Sequence, residues 1–316
     1  MYTTLAKIGN GSFGQVYKVS DSEDHIFAMK LFNMPEDAQN NGQGIAITTL
    51  RECSLLRMMD HHPNIMFPLR VIVNCRAAQY SYNISTIMDH AETDLARHLT
   101  QALVPLPIDD IRNILAQILQ AAAHLERHGV IHRDVKPQNI LLMTTNAPIA
   151  VKLTDFGLAC RVSRNAMTAP ATFVQTLAYR SPEIILGKAD YDCSADMWSI
   201  GCIFGEMAQH TTTTISGNKK HKPLMYGNCE IGQLYKIFQL LGTPDERTWP
   251  GVSRLPHYVE SAPLWHFDPA RFRSQFHASI GDTGIDLLLK MLTCDPAKRI
   301  SNQDALKHAF FCSSVI

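Results

Sequence analysis

The most restrictive stretch of this 316-residue chain is Val130-Ile131-His132-Arg133-Asp134-Val135-Lys136-Pro137-Gln138-Asn139-Ile140. It places an acid (Asp134), a base (Lys136) and an amide (Asn139) within six positions, between apolar flanks at Val130-Ile131 and Ile140-Leu141-Leu142. Flanks of this kind read as short buried strands, so the polar residues occupy a tight loop held at both ends. Such a loop can present a carboxylate to a proton, a lysine to an anion and an amide oxygen to a metal ion. The same pattern also suits an ordinary polar loop between strands, so the rest of the chain has to supply what that chemistry requires.

Composition narrows the setting. With 46% hydrophobic residues and dispersed Gly and Pro, the chain is globular and long enough for a large core and two lobes or domains. Lys+Arg and Asp+Glu both total 29, which gives no net field to gather nucleic acid or anionic lipid, and neither is expected as a partner. The eight Cys form no C-x-x-C pair and the 14 His lack metal-ligand spacing, which argues against a disulfide framework or zinc site and fits the nucleus or cytoplasm. No apolar run is long enough for a membrane span, and the first residues show no apolar signal core.

Upstream, Gly9-Asn10-Gly11-Ser12-Phe13-Gly14-Gln15-Val16 reads G-x-G-x-x-G-x-V between Ile8 and the strand-like Val16-Tyr17-Lys18-Val19. Glycines let backbone approach a phosphate where a side chain would collide. A dinucleotide fingerprint would open a helix after the last glycine; here β-branched and aromatic residues continue a strand instead. Phe27-Ala28-Met29-Lys30 alternates as a half-buried strand that ends in lysine, pointing to an inward, phosphate-facing role. Residues 34–45, rich in Asn, Gln and Gly, read as a mobile loop. Ala46 to Met59 is expected to be helical, with Ile47, Leu50, Leu55 and Met58 on the apolar face and Glu52 among them. A core-facing acid is costly unless paired, and Lys30 is the evident partner. Strands are expected at 65–73 and 80–88, and a long helix carries Ile111, Ile114, Leu115, Ile118, Leu119, Ala122 and Leu125 up to Gly129.

Downstream, the strand Ala150-Val151-Lys152-Leu153 delivers Asp155-Phe156-Gly157, sixteen residues after Asn139. Further on come Ser181-Pro182-Glu183, Asp196-Met197-Trp198-Ser199-Ile200-Gly201 and Asp295-Pro296-Ala297-Lys298-Arg299.

With these residues the chain resembles a eukaryotic protein kinase over roughly residues 4 to 311: an H-R-D-x-x-x-x-N loop, a glycine-rich loop, a V-A-I-K-like lysine, D-F-G and a variant of A-P-E. More narrowly it resembles the cyclin-dependent kinases of the CMGC group. That likeness rests on the PSTAIRE-type Ala46-Ile47-Thr48-Thr49-Leu50-Arg51-Glu52, HRDVKPQN at 132–139, Tyr179-Arg180-Ser181-Pro182-Glu183, and Leu240-Leu241-Gly242-Thr243-Pro244-Asp245-Glu246 followed by Trp249-Pro250-Gly251-Val252. The resemblance implies an α+β, bilobal kinase fold in a single domain, 1–316. A small, mainly β N-lobe with one regulatory helix would span 1–89. A larger, mainly α C-lobe would span 90–316, with a group insertion about 243–279.

It further implies an ATP-dependent serine/threonine kinase using Mg²⁺, in cell-cycle or transcription control. Asp134 would orient the substrate hydroxyl and accept its proton, and Lys136 would steady the transferred phosphoryl group. Lys30, paired with Glu52, would hold the α- and β-phosphates. Residues 8–16 (Ile8, Gly9, Asn10, Gly11, Ser12, Phe13, Gly14, Gln15 and Val16) would cover the nucleotide. Ala28 and Leu141 would enclose the adenine against a hinge at Asp89 to Ala91. Asn139 and Asp155 would hold metal. Asp196 would anchor the catalytic loop, and Arg299 would pair with Glu183. Arg180 would shape a pocket for proline after the target residue. The helix Ala46–Glu52 would contact a cyclin-like subunit; a cyclin-independent kinase of the mitogen-activated or glycogen-synthase-kinase type, or a kinase-fold scaffold, are the alternatives.

The chain also departs from that family. The usual activating threonine falls on Ala171, leaving Thr172 or Thr168 as candidates. Arg51 and Arg133 match two phosphate-receiving arginines, but Cys160 stands in the third place with Arg161 beside it. Gln175 and Ala178 occupy positions that usually carry valine and tryptophan. Residues 209–221 read as an inserted, solvated loop, with a docking element as the other reading.

Overall fold

The computed structural model describes residues 2–11, 14–32, 47–76, 81–102, 104–144, 148–161, 175–209, 212–215, 218–260 and 263–312. Strands β1 (Thr3–Gly11), β2 (Gly14–Ser20) and β3 (Ile26–Phe32) precede helix α1 (Ile47–Met58), followed by β4 (Arg70–Arg76) and β5 (Ser81–Asp89). They form a five-stranded antiparallel sheet in the order β1-β2-β3-β5-β4. Gly14 is needed where β2 crosses β3, because a Cβ there would lie 2.3 Å from the Leu31 carbonyl oxygen. The strand register places Lys30 opposite Val16 on one side and Thr86 on the other, deep in the sheet.

The helical part follows. A short β6 (Thr93–Asp94) leads into α2 (Leu95–Gln101), capped by the Asp94 carboxylate accepting from the Arg97 N–H. Helix α3 (Ile108–Arg127) buries the apolar series expected from its spacing, and Gly129 takes φ 64 just beyond it. Strands β7 (Val130–Ile131), β8 (Ile140–Leu142), β9 (Val151–Leu153) and β10 (Cys160–Arg161) surround the organising loop. Helices α4 (Pro182–Ile185) and α5 (Ser194–Gln209) come next. Hairpin strands β11 (Thr212–Ile215) and β12 (Asn218–His221) lead to α6 (Glu230–Leu241), α7 (Pro269–Met291), α8 (Asn302–Leu306) and α9 (Ala309–Cys312). Helix α5 is buried on every side, from Ala195 to Ala208, and packs against α3 and α7 at the centre of one large apolar core. Helix α7 breaks at Gly281, which takes φ 63 and ψ −172.

Several expectations shift. The inward face of α1 carries Thr49, Glu52, Leu55 and Leu56, with Met59 just beyond its end, whereas Leu50 is 48% and Met58 57% exposed. Apolar residues lie on both faces of this helix, so spacing placed Leu55 and Glu52 inward as found but put Leu50 and Met58 on the wrong side. The strand expected from 65 begins only at Arg70; Ile65 instead makes an isolated bridge to Leu153 and belongs to the main core. The second of that pair runs from Ser81 to Asp89. The inserted 209–221 stretch is a paired hairpin rather than a loop: Thr212 faces His221 and Ile215 faces Asn218, and β12 lies against α2. The 34–45 stretch lies outside the described residues.

Candidate active site

Sheet, loop and helices meet around a cleft of about 1030 Å³. From the sheet come Ile8, Gly9, Asn10, Gly14, Val16, Ala28 and Lys30, and from the connecting segment Asp89 and Ala91. From below come Asp134, Lys136, Asn139, Leu141, Asp155, Gln175 and Thr176. Gln15 is not on this wall. Neighbouring strand residues alternate faces, so with Val16 toward the cleft, Gln15 shares the opposite face with Tyr17, whose hydroxyl donates to its amide oxygen at 2.6 Å. Gly11 ends β1, while Ser12 and Phe13 lie outside the described residues, as do Ala46, Thr168 and Thr172.

Lys30 Nζ donates to both carboxylate oxygens of Glu52, at 2.9 and 2.8 Å, and to Asp155 Oδ1 at 3.0 Å. The pair expected from the buried acid on α1 is therefore formed, and Asp155 extends it to a triad. Burial works against the Lys30 ammonium, but Glu52 and Asp155 outweigh it and hold its pKa above the usual lysine value. Burial raises the Glu52 carboxyl against the pull of Lys30. Burial also acts to raise Asp155, yet Lys30 prevails and keeps that carboxyl below the ordinary aspartate range. Asp89, for its part, accepts from Lys152 at 2.6 Å.

The organising loop is held from beneath. Asp196, at the start of α5, accepts the backbone N–H groups of His132 at 2.7 Å and Arg133 at 3.0 Å. Burial pushes its carboxyl upward, opposed by His132 and those two N–H groups. The fully buried His132 ring bonds the Thr154 carbonyl at 3.0 Å and sits edge-on to Phe156, tying the loop to Asp155-Phe156-Gly157. Among the described residues, non-glycine positive φ occurs at Asp24, Arg133, Asp155 and Gln175, and the last three belong to this site. Such backbone persists only where the surroundings over-determine it.

Around Asp134 the bonds converge. Lys136 Nζ donates to its Oδ2 at 2.6 Å, Thr176 Oγ1 donates to its Oδ1 at 2.9 Å, and Asn139 Nδ2 donates to its carbonyl at 2.8 Å and to Oδ2 at 3.1 Å. Lys136 also reaches Thr176 Oγ1 at 3.2 Å. Thr176 escaped the sequence reading; a hydroxyl residue shortly before Tyr179-Arg180 was the only signal available.

Arg133 donates to the Leu158 carbonyl at 2.7 Å and to the Tyr191 hydroxyl at 3.1 Å. Arg51 is half-buried on α1, and its charge together with that of Arg133 acts on the Cys160 thiol, which burial pushes upward. Arg180 donates to Glu230 Oε1 at 2.6 Å and to the Gln175 carbonyl at 2.9 Å. Arg299 and Glu183, both with fully buried side chains, form a two-bond pair at 2.8 Å each. Neither Tyr191 nor Glu230 carried a local signal in the sequence.

Comparison with known proteins supplies the family. Residues 2–311 match the protein kinase domain family. The chain is 36% identical over 318 residues to cyclin-dependent kinase B2-1 of Oryza sativa subsp. japonica, covering 98% of this chain and 90% of that one. It is 35% identical over 311 residues to human cyclin-dependent kinase 11A, covering 98% of this chain but only 36% of that longer protein. Its fold matches a chain of the CAK complex of Chaetomium thermophilum, solved bound to ATP-gamma-S, with a TM-score of 0.83 at 29% identity, covering 99% of this chain and 91% of that one. The family match over residues 2–311 and the identity to two cyclin-dependent kinases lead to one assignment: the chain is an ATP-dependent serine/threonine kinase that belongs to the protein kinase family and, within it, to the cyclin-dependent kinases.

Proposed function

We propose that this kinase transfers the γ-phosphate of ATP to serine or threonine in proteins, with proline favoured after the target residue, under a cyclin-type subunit in cell-cycle or transcription control. The observation that carries the reading is the convergence of Thr176, Lys136 and Asn139 on the Asp134 carboxylate, at the mouth of a cleft that also contains the Lys30–Glu52–Asp155 triad.

In this reading the substrate hydroxyl meets Asp134, which accepts its proton as the new oxygen–phosphorus bond forms and the bond to the β-phosphate oxygen breaks. Thr176 and Lys136 fix the carboxylate, each on a different oxygen. Lys136 also faces the phosphoryl group, and Lys30, charged and held by Glu52, faces the α- and β-phosphates. A positioned base contributes roughly 10²–10⁴-fold; orientation and charge neutralisation supply most of the remainder.

Mg²⁺ suits the donor set here. Asp155 offers a carboxylate kept ionised by Lys30, and Asn139, with its amide nitrogen committed to Asp134, has its amide oxygen left for a hard cation. When bound, the ion neutralises phosphate charge.

The proline preference follows from Arg180. It takes the Gln175 carbonyl, at a residue with φ 78, so that carbonyl is committed within the protein. A substrate N–H after the target residue then loses a main-chain acceptor, whereas proline has no N–H to satisfy. The half-exposed Leu50 and Met58 on α1, and Val71 and Val73 on the edge strand β4, support a partner surface. Arg51 and Arg133 would receive a phosphate on Thr172 or Thr168.

Purified chain with its cyclin-type subunit should transfer phosphate from Mg-ATP to a Ser-Pro peptide, and Asp134→Asn should remove nearly all of it. Unchanged turnover in that variant sinks the reading.

A further inference from the structure

One residue that separates this site from the pattern it resembles is Gln175, where valine is usual. It is only 6% exposed, yet neither its amide nitrogen nor its amide oxygen has a hydrogen-bond partner among the described residues. Its neighbours share the condition: Arg180 Nε and the Ser181 hydroxyl are also buried and unpartnered. Buried polar side chains are nearly always satisfied, and an orphaned amide donor and acceptor on the wall of a binding cleft point to a ligand that completes them.

Position identifies which part of the ligand. Thr176 bonds Asp134 directly, so it marks where the target hydroxyl must sit. Gln175 directly precedes Thr176 in the chain, so it borders the place of a substrate residue next to the target. Gln175 lines the same cleft as Asp134 and Thr176. Its backbone carbonyl is already taken by Arg180, so the group it has left to offer is the side-chain amide.

We propose that the Gln175 side-chain amide oxygen accepts the backbone N–H of the substrate residue that follows the target serine or threonine, replacing the carbonyl acceptor that Arg180 removes. This rests on the kinase reading above and deepens it. Proline is then favoured but not required, and the enzyme also phosphorylates serines and threonines followed by residues that carry an N–H.

Three peptides differing only at the following residue (proline, alanine and N-methylalanine) test it, with the kinase–subunit complex as the enzyme. The wild type should use alanine within about tenfold of proline and should lose about tenfold on N-methylation, the effect of one hydrogen bond. Gln175→Met, which keeps length and avoids a β-branch at φ 78, should raise the proline-to-alanine ratio of kcat/KM about tenfold and erase the difference between alanine and N-methylalanine. Gln175→Glu keeps an acceptor and should keep that difference. Equal use of alanine and N-methylalanine by the wild type, or a proline-to-alanine ratio that Gln175→Met leaves unmoved, overturns the proposal alone. Failure to phosphorylate any of the three peptides overturns the kinase reading together with it.

Discussion

Thr176 and Asp134 stand 42 residues apart in sequence, yet the threonine hydroxyl donates to one carboxylate oxygen at 2.9 Å while Lys136 holds the other at 2.6 Å. The two bonds, one on each oxygen, fix the orientation of the carboxylate. Thr176→Ala removes one hydrogen bond to a charged group, a loss of about 1.5–3 kcal/mol. The expected outcome is a fall in kcat of roughly tenfold to a hundredfold with KM for ATP nearly unchanged, since Thr176 contacts no part of the Lys30 triad. Steady-state kinetics in both substrates checks it; a change confined to KM for ATP contradicts it.

The Arg299–Glu183 pair is buried without solvent on either side chain, and Arg299 also donates to the Thr293, Ser194 and Cys294 carbonyls. Removing one partner strands a buried charge. Glu183→Ala should lower unfolding free energy by about 3–5 kcal/mol. Denaturant titration of the single variant reads the loss directly, and a shift below about 1 kcal/mol would contradict the fully desolvated geometry.

The Lys30–Asp155 contact predicts a pH signature. The Asp155 carboxyl is held below its ordinary value of 3.8, so its stabilising contribution is fully present above that value and is lost as pH falls through the lower folded one. Lys30 is raised above its ordinary 10.5, so its share is fully present below that value and disappears only as pH rises through the higher folded one. The stability difference between wild type and Asp155→Asn should therefore be flat from about pH 5 to about pH 9 and shrink in acid. Chemical denaturation across that range, without nucleotide, measures it. A difference that grows in acid has the wrong sign.

Leu50 is 48% exposed on α1, while Glu52, two residues on, is buried against Lys30. Leu50→Asp should weaken association with a cyclin-type subunit by at least about tenfold, the scale of a lost apolar anchor. Its melting temperature should stay within about a degree of wild type, because substitutions at exposed positions usually change stability little. Binding and melting measured on the same preparation separate a contact defect from a folding defect.

The organising loop was legible because its chemistry is contiguous. His132 to Asn139, Asp155-Phe156-Gly157 and Lys30 each lie on a short segment whose own apolar flanks give its conformation. The alternation of β3 and the spacing of α3 were legible for the same reason: a period of two or of three to four residues survives in the sequence when one face alone is buried. Helix α1 and its inward Glu52 were legible, but its apolar face was read only in part. Leu50 and Met58 are as apolar as Leu55 and Met59 but face outward, so periodicity could not choose between its sides. The β11–β12 hairpin was illegible too, since its Thr- and Lys-rich strands lack the alternation of a buried face.

By itself the sequence determined which groups could act as base, cation and metal ligand, because those identities and their local backbone are written in adjacent residues. Only the tertiary structure decided what those groups touch. Thr176 on Asp134, Tyr191 on Arg133, Glu230 on Arg180 and the Gln175 amide, without a partner among the described residues, all depend on how the chain is packed. A hydrogen bond turns on tenths of an ångström and on direction, and neither is encoded in any one segment.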